Sequence, residues 1–295
     1  MIGPNDINLP FFAYGVFRKG ELGFLSISDL VSRVVEPCSV TGSLLLRDGL
    51  PIIDPAGRSN IPGSLISFRE GLNGEAYDRI DRLEPHRQYR WEETTTAQSV
   101  RCNYLIGRSP HKGSVPADEG WNGRNDPLFT SALEVVNESL AAYSDFDWNL
   151  KPMFRLQMAY LLLWSSMERY ASLRFHLGDR AVDKVMQIAD EPQFGQLLRR
   201  VVKRTHRVQR ADRPTDHYEL TPDDPRNSLN YYYQIRSNIT HRGKGVVRDH
   251  DIVRASLKEL LEFFTELVRT AFESSSKGAP NQSLEPTPGR CEVHL

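Results

Sequence analysis

The chain has 295 residues, more than a single hydrophobic core usually serves, so two cores, or one core with a large helical appendage, are expected. Hydrophobic residues at 39% and charged residues at 25% exclude a disordered or membrane-embedded chain. The formal net charge of -1, from 37 basic and 38 acidic residues, leaves attraction of nucleic acid to local patches only. The cysteines Cys38, Cys102 and Cys291 lie far apart, without metal-ligand spacing, and their odd count argues against a disulfide framework, which fits a reducing cytoplasm. The first residues carry no basic segment followed by an apolar core. The longest apolar stretch, around 161–164, is far short of a membrane span, so no membrane association is expected.

In chain order, residues up to about 107 form short apolar runs rich in β-branched and aromatic residues, at 9–12, 44–46 and 65–68, separated by Gly and Pro. A small strand-rich domain over 1–108 is predicted, with helices at 28–35 and 74–83, the second stopped by Pro85. Residues 109–126 are polar, rich in Pro and Gly and without period, which suits a linker. The period then becomes helical. Leu156, Ala159, Tyr160, Leu163, Trp164, Met167, Tyr170 and Ala171 recur at spacings of three and four, as do Val253, Leu257, Leu260, Leu261, Phe264, Leu267 and Val268. Further helices are predicted at 128–142, 181–189, 194–203 and 229–241, with a polar loop at 209–228. An all-α bundle over 127–272 therefore follows the α+β first domain. Residues 273–295 have few bulky apolar residues and no period, so a disordered tail is expected there.

Two constellations carry chemistry. The first begins at Phe11-Phe12-Ala13-Tyr14-Gly15-Val16-Phe17, a hydrophobic strand entering a Gly-containing turn, where backbone N–H groups can converge on an anion. It continues at Ile80-Asp81-Arg82-Leu83-Glu84-Pro85 and Tyr89-Arg90-Trp91, carboxylates at a helix end just before a strand. In order and spacing these segments, with the strands at 42–46 and 63–68 and Tyr104, resemble the γ-glutamylcyclotransferase and AIG2-like family over about residues 9–108. That resemblance implies a small mixed β-barrel-like fold. It implies an activity in which a substrate's α-amine attacks its own γ-glutamyl carbonyl, releasing 5-oxoproline and an amine or peptide, with no cofactor. It makes Glu84 the general acid and base, and Tyr14, Gly15, Val16, Phe17 and Tyr104 the residues that hold a small γ-glutamyl compound. A buried glutamate of raised pKa suits both proton transfers. The family usually carries Ser or Thr and then Leu after Tyr-Gly, so Val16-Phe17 removes a hydroxyl and tightens the pocket. Without that frame, Glu84 reads as a helix-end carboxylate paired with Arg82, Arg87 or Arg90.

The second constellation is Tyr231-Tyr232-Tyr233-Gln234-Ile235-Arg236-Ser237-Asn238-Ile239-Thr240-His241, with Gly243 placed to end the helix. With Trp164 to Tyr170 on the earlier long helix, it resembles HEPN helical domains, over about 127–272. Their ribonuclease members carry Arg, then four to six residues, then His. The resemblance implies metal-independent RNA cleavage by Arg236 and His241 at a homodimer interface of the helical domain, as a toxin or defence effector, with the first domain sensing a metabolite. Five positions apart, the two side chains are rotated by about 140° on an ideal helix. Arg199, Arg200, Lys203, Arg204, Arg207, Arg210, Arg242, Lys244 and Arg248 would supply positive charge, or form an ordinary solvated helix face. A non-catalytic binding protein is the third alternative. No His or Cys grouping has metal spacing, and no phosphate loop, dinucleotide fingerprint or Gly-x-Ser-x-Gly elbow is present.

Overall fold

The computed structural model describes residues 3–84, 87–117, 120–143, 150–175, 181–210, 213, 215–242 and 250–277. The chain is α+β and divides into two compact units, 1–121 with 275–295, and 122–274.

The first unit is built on a six-stranded mixed sheet. Its strands are β1 (Phe11–Ala13), β2 (Val31–Arg47), β3 (Leu50–Phe68), β4 (Tyr89–Thr95), β5 (Arg101–Gly107) and β6 (Val115–Pro116), in the order β4-β5-β1-β3-β2-β6. All neighbours are antiparallel except β1 and β5, where Phe11 lies opposite Asn103 in a parallel pair. The long β2–β3 hairpin turns at Asp48 and Gly49, both at positive φ, the backbone that an Asp-Gly turn favours. Register shifts at three places along β2 bend it over the sheet.

Alternation places Phe12, Val35, Val40, Ile53, Ile61, Leu65, Cys102, Tyr104 and Ile106 in one buried cluster. The opposite face of β1 and β5 receives the helix α1 (Asn73–Leu83). Its buried stripe is Ala76, Tyr77, Ile80 and Leu83, and Tyr77 packs edge-on against Phe11, Phe68 and Trp91 at centroid distances of 6.4, 5.5 and 5.3 Å. The helix stops at Glu84, whose backbone is extended at φ -86, ψ 135, because the α region is disfavoured for a residue preceding proline. Two expectations fail here. Residues 28–35 are not a helix: a single 3-10 turn at Ser28–Leu30 leads into β2, where Val31, Val34 and Val35 are buried in the sheet. The β-branched pattern wins over the serine cap. The stretch read as a pure linker contributes β6 at the sheet edge.

The second unit contains α2 (Ser131–Ala141), α3 (Leu150–Arg174), α4 (Ala181–Met186), α5 (Pro192–Val201), α6 (Pro225–Arg242) and most of α7 (His250–Lys277). Every member of the α3 stripe from Leu156 to Ala171 is buried. Phe264 stacks edge-on with Tyr170, and Phe263 with Phe194 and Tyr232, so that α3, α5, α6 and α7 share one aromatic core. The unit is not all-α. The predicted loop at 209–228 contains β8 (His217–Leu220), paired with β7 (His206–Gln209) in a hairpin that buries Val208 and Leu220. Such short strands alternate too briefly to be read locally. Residues 273–277, assigned to the tail, are the last turn of α7; residues 278–295, with Cys291, lie outside the described residues. No helix among the described residues is long and apolar enough to cross a membrane, and no group of His, Cys, Asp or Glu among them could hold a metal ion.

Candidate active site

Where β1 ends, the chain leaves the sheet at Tyr14 and turns, closed by the bond from the Arg18 N–H to the Gly15 carbonyl at 2.9 Å. Val16 and Phe17 are buried, Phe17 edge-on to Phe11 at 5.9 Å, and their packing anchors the turn. Gly15 has a steric reason for its identity. A Cβ there would stand 2.6 Å from Pro51 Cγ, inside any normal contact. The N–H groups of Gly15, Val16 and Phe17 make no hydrogen bond among the described residues, so the turn presents uncommitted donors.

Across this turn stands Glu84. Leu83 is the last apolar residue of the buried α1 stripe, and the change to extended backbone directs the next side chain away from the helix. Tyr14, Gly15, Val16, Phe17 and Glu84 line one narrow cavity of about 20 Å³, enough for about one water molecule. Leu50 and Pro51 at the start of β3, with Tyr89 and Leu105, complete the wall. The Tyr89 hydroxyl donates to the Pro51 carbonyl at 2.8 Å and fixes that wall.

Glu84 is half-buried, and the burial of its carboxyl among neighbouring atoms pushes its pKa up to about 8. It is therefore largely protonated at neutral pH. None of Arg82, Arg87 and Arg90 pairs with it, and Arg90 instead bridges to Glu92 at 2.7 Å. Burial first, and the neighbouring Glu84 second, hold the Tyr14 phenol well above its ordinary value. The Tyr14 hydroxyl is buried without a hydrogen-bond partner; the Ile53 main chain approaches closely enough to moderate the shift but not in bonding geometry. The site thus combines a neutral acid, an unclaimed hydroxyl and three free backbone donors, the inventory for binding a polar molecule and moving a proton on it.

Tyr104 does not line the cavity. It alternates with Leu105, which lines the cavity, and it packs with Tyr14 in the buried cluster that includes Phe12, Ile53 and Ile106. Its phenol is raised chiefly by burial and next by Glu92. Leu50 and Pro51 lie 35 and 36 positions beyond Gly15; the Asp48-Gly49 pair marks the turn before them, but not the pairing of β3 with β1 that carries them to this site.

The second constellation is only partly described. Arg236 and His241 both belong to α6, and Arg236 is half-buried. The side chains of His241 and Arg242, and residues 243–249 including Lys244 and Arg248, lie outside the described residues. Tyr231 and Tyr232 are core, Tyr232 donating to Glu259 at 2.8 Å, and Tyr233 stacks on Trp164. Arg199, Arg200, Lys203, Arg204 and Arg207 are exposed and Arg210 is half-buried; Arg207 is neutralised by Glu219, and Arg199 lies 3.9 Å from Asp223. No family model, curated protein or solved structure matches the chain.

Proposed function

We propose that the first unit is a γ-glutamylcyclotransferase-type enzyme that acts on a small γ-glutamyl amine or peptide and releases 5-oxoproline. The observation that carries this reading is the meeting, in one cavity, of a carboxyl with pKa about 8, an unpartnered tyrosine hydroxyl and a turn with unbonded N–H groups. In this reading the substrate's γ-carbonyl oxygen lies against the Gly15–Phe17 N–H groups, which stabilise the oxyanion as the amine attacks. Glu84, ionised beside the substrate's ammonium group, takes its proton; the α-nitrogen bonds to the γ-carbon, and the C–N bond to the leaving group breaks. Glu84 passes that proton to the departing nitrogen, and the second proton, lost from the ring nitrogen as the lactam forms, goes to the released amine, which leaves as its ammonium ion. The Tyr14 hydroxyl donates to the glutamyl α-carboxylate and holds the chain folded for attack.

A cavity of about 20 Å³ does not hold a glutamyl group, so substrate entry displaces the wall formed by Leu50 and Pro51. The test is 5-oxoproline release from a panel of γ-glutamyl amines and γ-glutamyl amino acids by the full chain. Release that disappears in Glu84→Gln supports the reading, and release unchanged in that variant removes Glu84 from the mechanism.

A further inference from the structure

The buried side chains of α3, from Met153 to Leu173, occupy one side of the helix. The opposite side carries Lys151, Phe154, Met158, Leu161, Ser165 and Glu168, spaced alternately by three and four residues. Phe154 is 50% and Met158 65% exposed; Lys151 and Ser165 are also exposed, and Leu161 and Glu168 are half-buried. A single exposed apolar side chain needs no explanation. Two large ones a turn apart, continued by Leu161, form a patch of the kind that marks an interaction surface.

Alternation of three and four is the spacing of the a and d positions of a coiled coil, a seam that stays on one side of the helix. Here the seam runs along the face turned away from the core of the second unit, and only its centre is apolar. Lys151 stands at one end and Glu168 at the other, about 26 Å apart along the axis.

This pattern complements itself in one direction. Two copies of α3 laid antiparallel with Met158 opposite Leu161 also place Phe154 opposite Ser165 and Lys151 opposite Glu168, because the three pairs share one midpoint. Each layer then joins one a to one d position. The large ring meets a small side chain, and opposite charges meet at both ends of the seam. Parallel pairing would set Phe154 on Phe154, Lys151 on Lys151 and Glu168 on Glu168, crowding one layer and opposing like charges at both ends.

We propose that this face of α3 is a homodimer interface, on which a second copy of the chain packs its own α3 antiparallel about a two-fold axis between Met158 and Leu161. The seam contains neither Arg236 nor His241, so the dimer does not rest on the ribonuclease reading, and it makes no demand on the cavity of the first unit.

The test is sedimentation equilibrium of the full chain from about 1 to about 500 µM, a range that brackets a contact smaller than a standard interface. A monomer–dimer equilibrium with a dissociation constant of about 10–100 µM is expected. Met158→Asp, at a side chain that the single copy leaves 65% exposed, raises that constant about tenfold or more by placing two carboxylates at the axis. Lys151→Glu and Glu168→Lys each weaken the dimer about fivefold, since each creates two like-charge contacts, and the double variant returns to within about twofold of the wild type. Thermal melts at about 1 µM, where the wild type is monomeric, verify that the variants fold. A monomer at every concentration would overturn the proposal and leave the seam to a partner of other sequence. So would a dimer that Met158→Asp does not weaken, which uses another surface, or a charge exchange without rescue, which excludes the antiparallel register.

Discussion

Tyr14 and Glu84 line one cavity without a hydrogen bond between them, and an ionised Glu84 makes the Tyr14 phenol harder still to ionise. Burial holds both groups neutral, and the Tyr14 hydroxyl has no hydrogen-bond partner. Their states are therefore set by what enters the cavity, and this gives the site a distinct mutational signature.

Glu84→Gln should remove 5-oxoproline release by about 100-fold or more, the usual worth of a positioned acid and base. In the wild type, kcat/KM should rise with pH and level off above about 8, as the free enzyme's carboxyl ionises. A stopped or coupled assay across pH 5.5 to 9 reads this, with the endpoints chosen to bracket about one ionisation. A flat profile would exclude Glu84 as the titrating base.

The same group makes a stability prediction of definite sign. Its folded pKa is raised from 4.5 to about 8, so the folded state binds the extra proton in that window. Stability contributed by neutral Glu84 is complete below about 4.5 and falls as pH rises toward 8. Glu84→Gln should flatten that slope, which chemical denaturation at pH 5 and pH 8 would measure, about one point at each end of the window.

Tyr14→Phe should separate stability from activity. Removing a buried hydroxyl that bonds to nothing should leave the protein equally stable or more stable by about 1 kcal/mol. The substrate loses a partner, so KM should rise about tenfold. Thermal melting and steady-state kinetics on one preparation check both, and a clear fall in melting temperature would mean that the hydroxyl is structural.

Gly15→Ala forces a methyl group to within 2.6 Å of Pro51 Cγ. It should cost about 1–3 kcal/mol by overpacking and shift the cavity wall, lowering activity along with stability. Pro51→Ala in the same background should restore part of both, and failure of that rescue would show that the clash is absorbed elsewhere.

The basic helical segment yields a discriminating control. If the second unit cuts RNA through Arg236 and His241, either alanine variant should abolish cleavage while leaving 5-oxoproline release intact. Equal RNA cleavage by wild type and variants would exclude the ribonuclease reading.

The residues of the first cavity were legible where they lie in contiguous segments with strong local rules. Tyr14 to Phe17 follow a strand and a turn, and Glu84 follows a helix stripe and precedes a proline. The α3 and α7 stripes were legible for the same reason, since a 3.6-residue period over seven turns leaves little ambiguity. Tyr104 is absent from the cavity lining because one step along a strand reverses the face, so Leu105 lines the cavity while Tyr104 packs with Tyr14 in the buried cluster. Pro51 was illegible as a wall residue because β3 meets β1 only in the folded sheet, and the β7–β8 hairpin because its strands alternate too briefly to be read locally.

The Asp48-Gly49 turn has a consequence for how such a site can diversify. It sets the register of the longest hairpin, and the Trp121 indole donates to the Gly49 carbonyl at 2.9 Å, clamping the turn that precedes Leu50 and Pro51. The cavity is thus walled on one side by β1 and the turn after it, with Glu84 just past α1, and on another by Leu50 and Pro51, which follow a separate two-residue bend. Lengthening or reshaping that bend would re-cut the aperture, and so retune which molecules are admitted, while leaving Glu84 and the Tyr14 turn untouched.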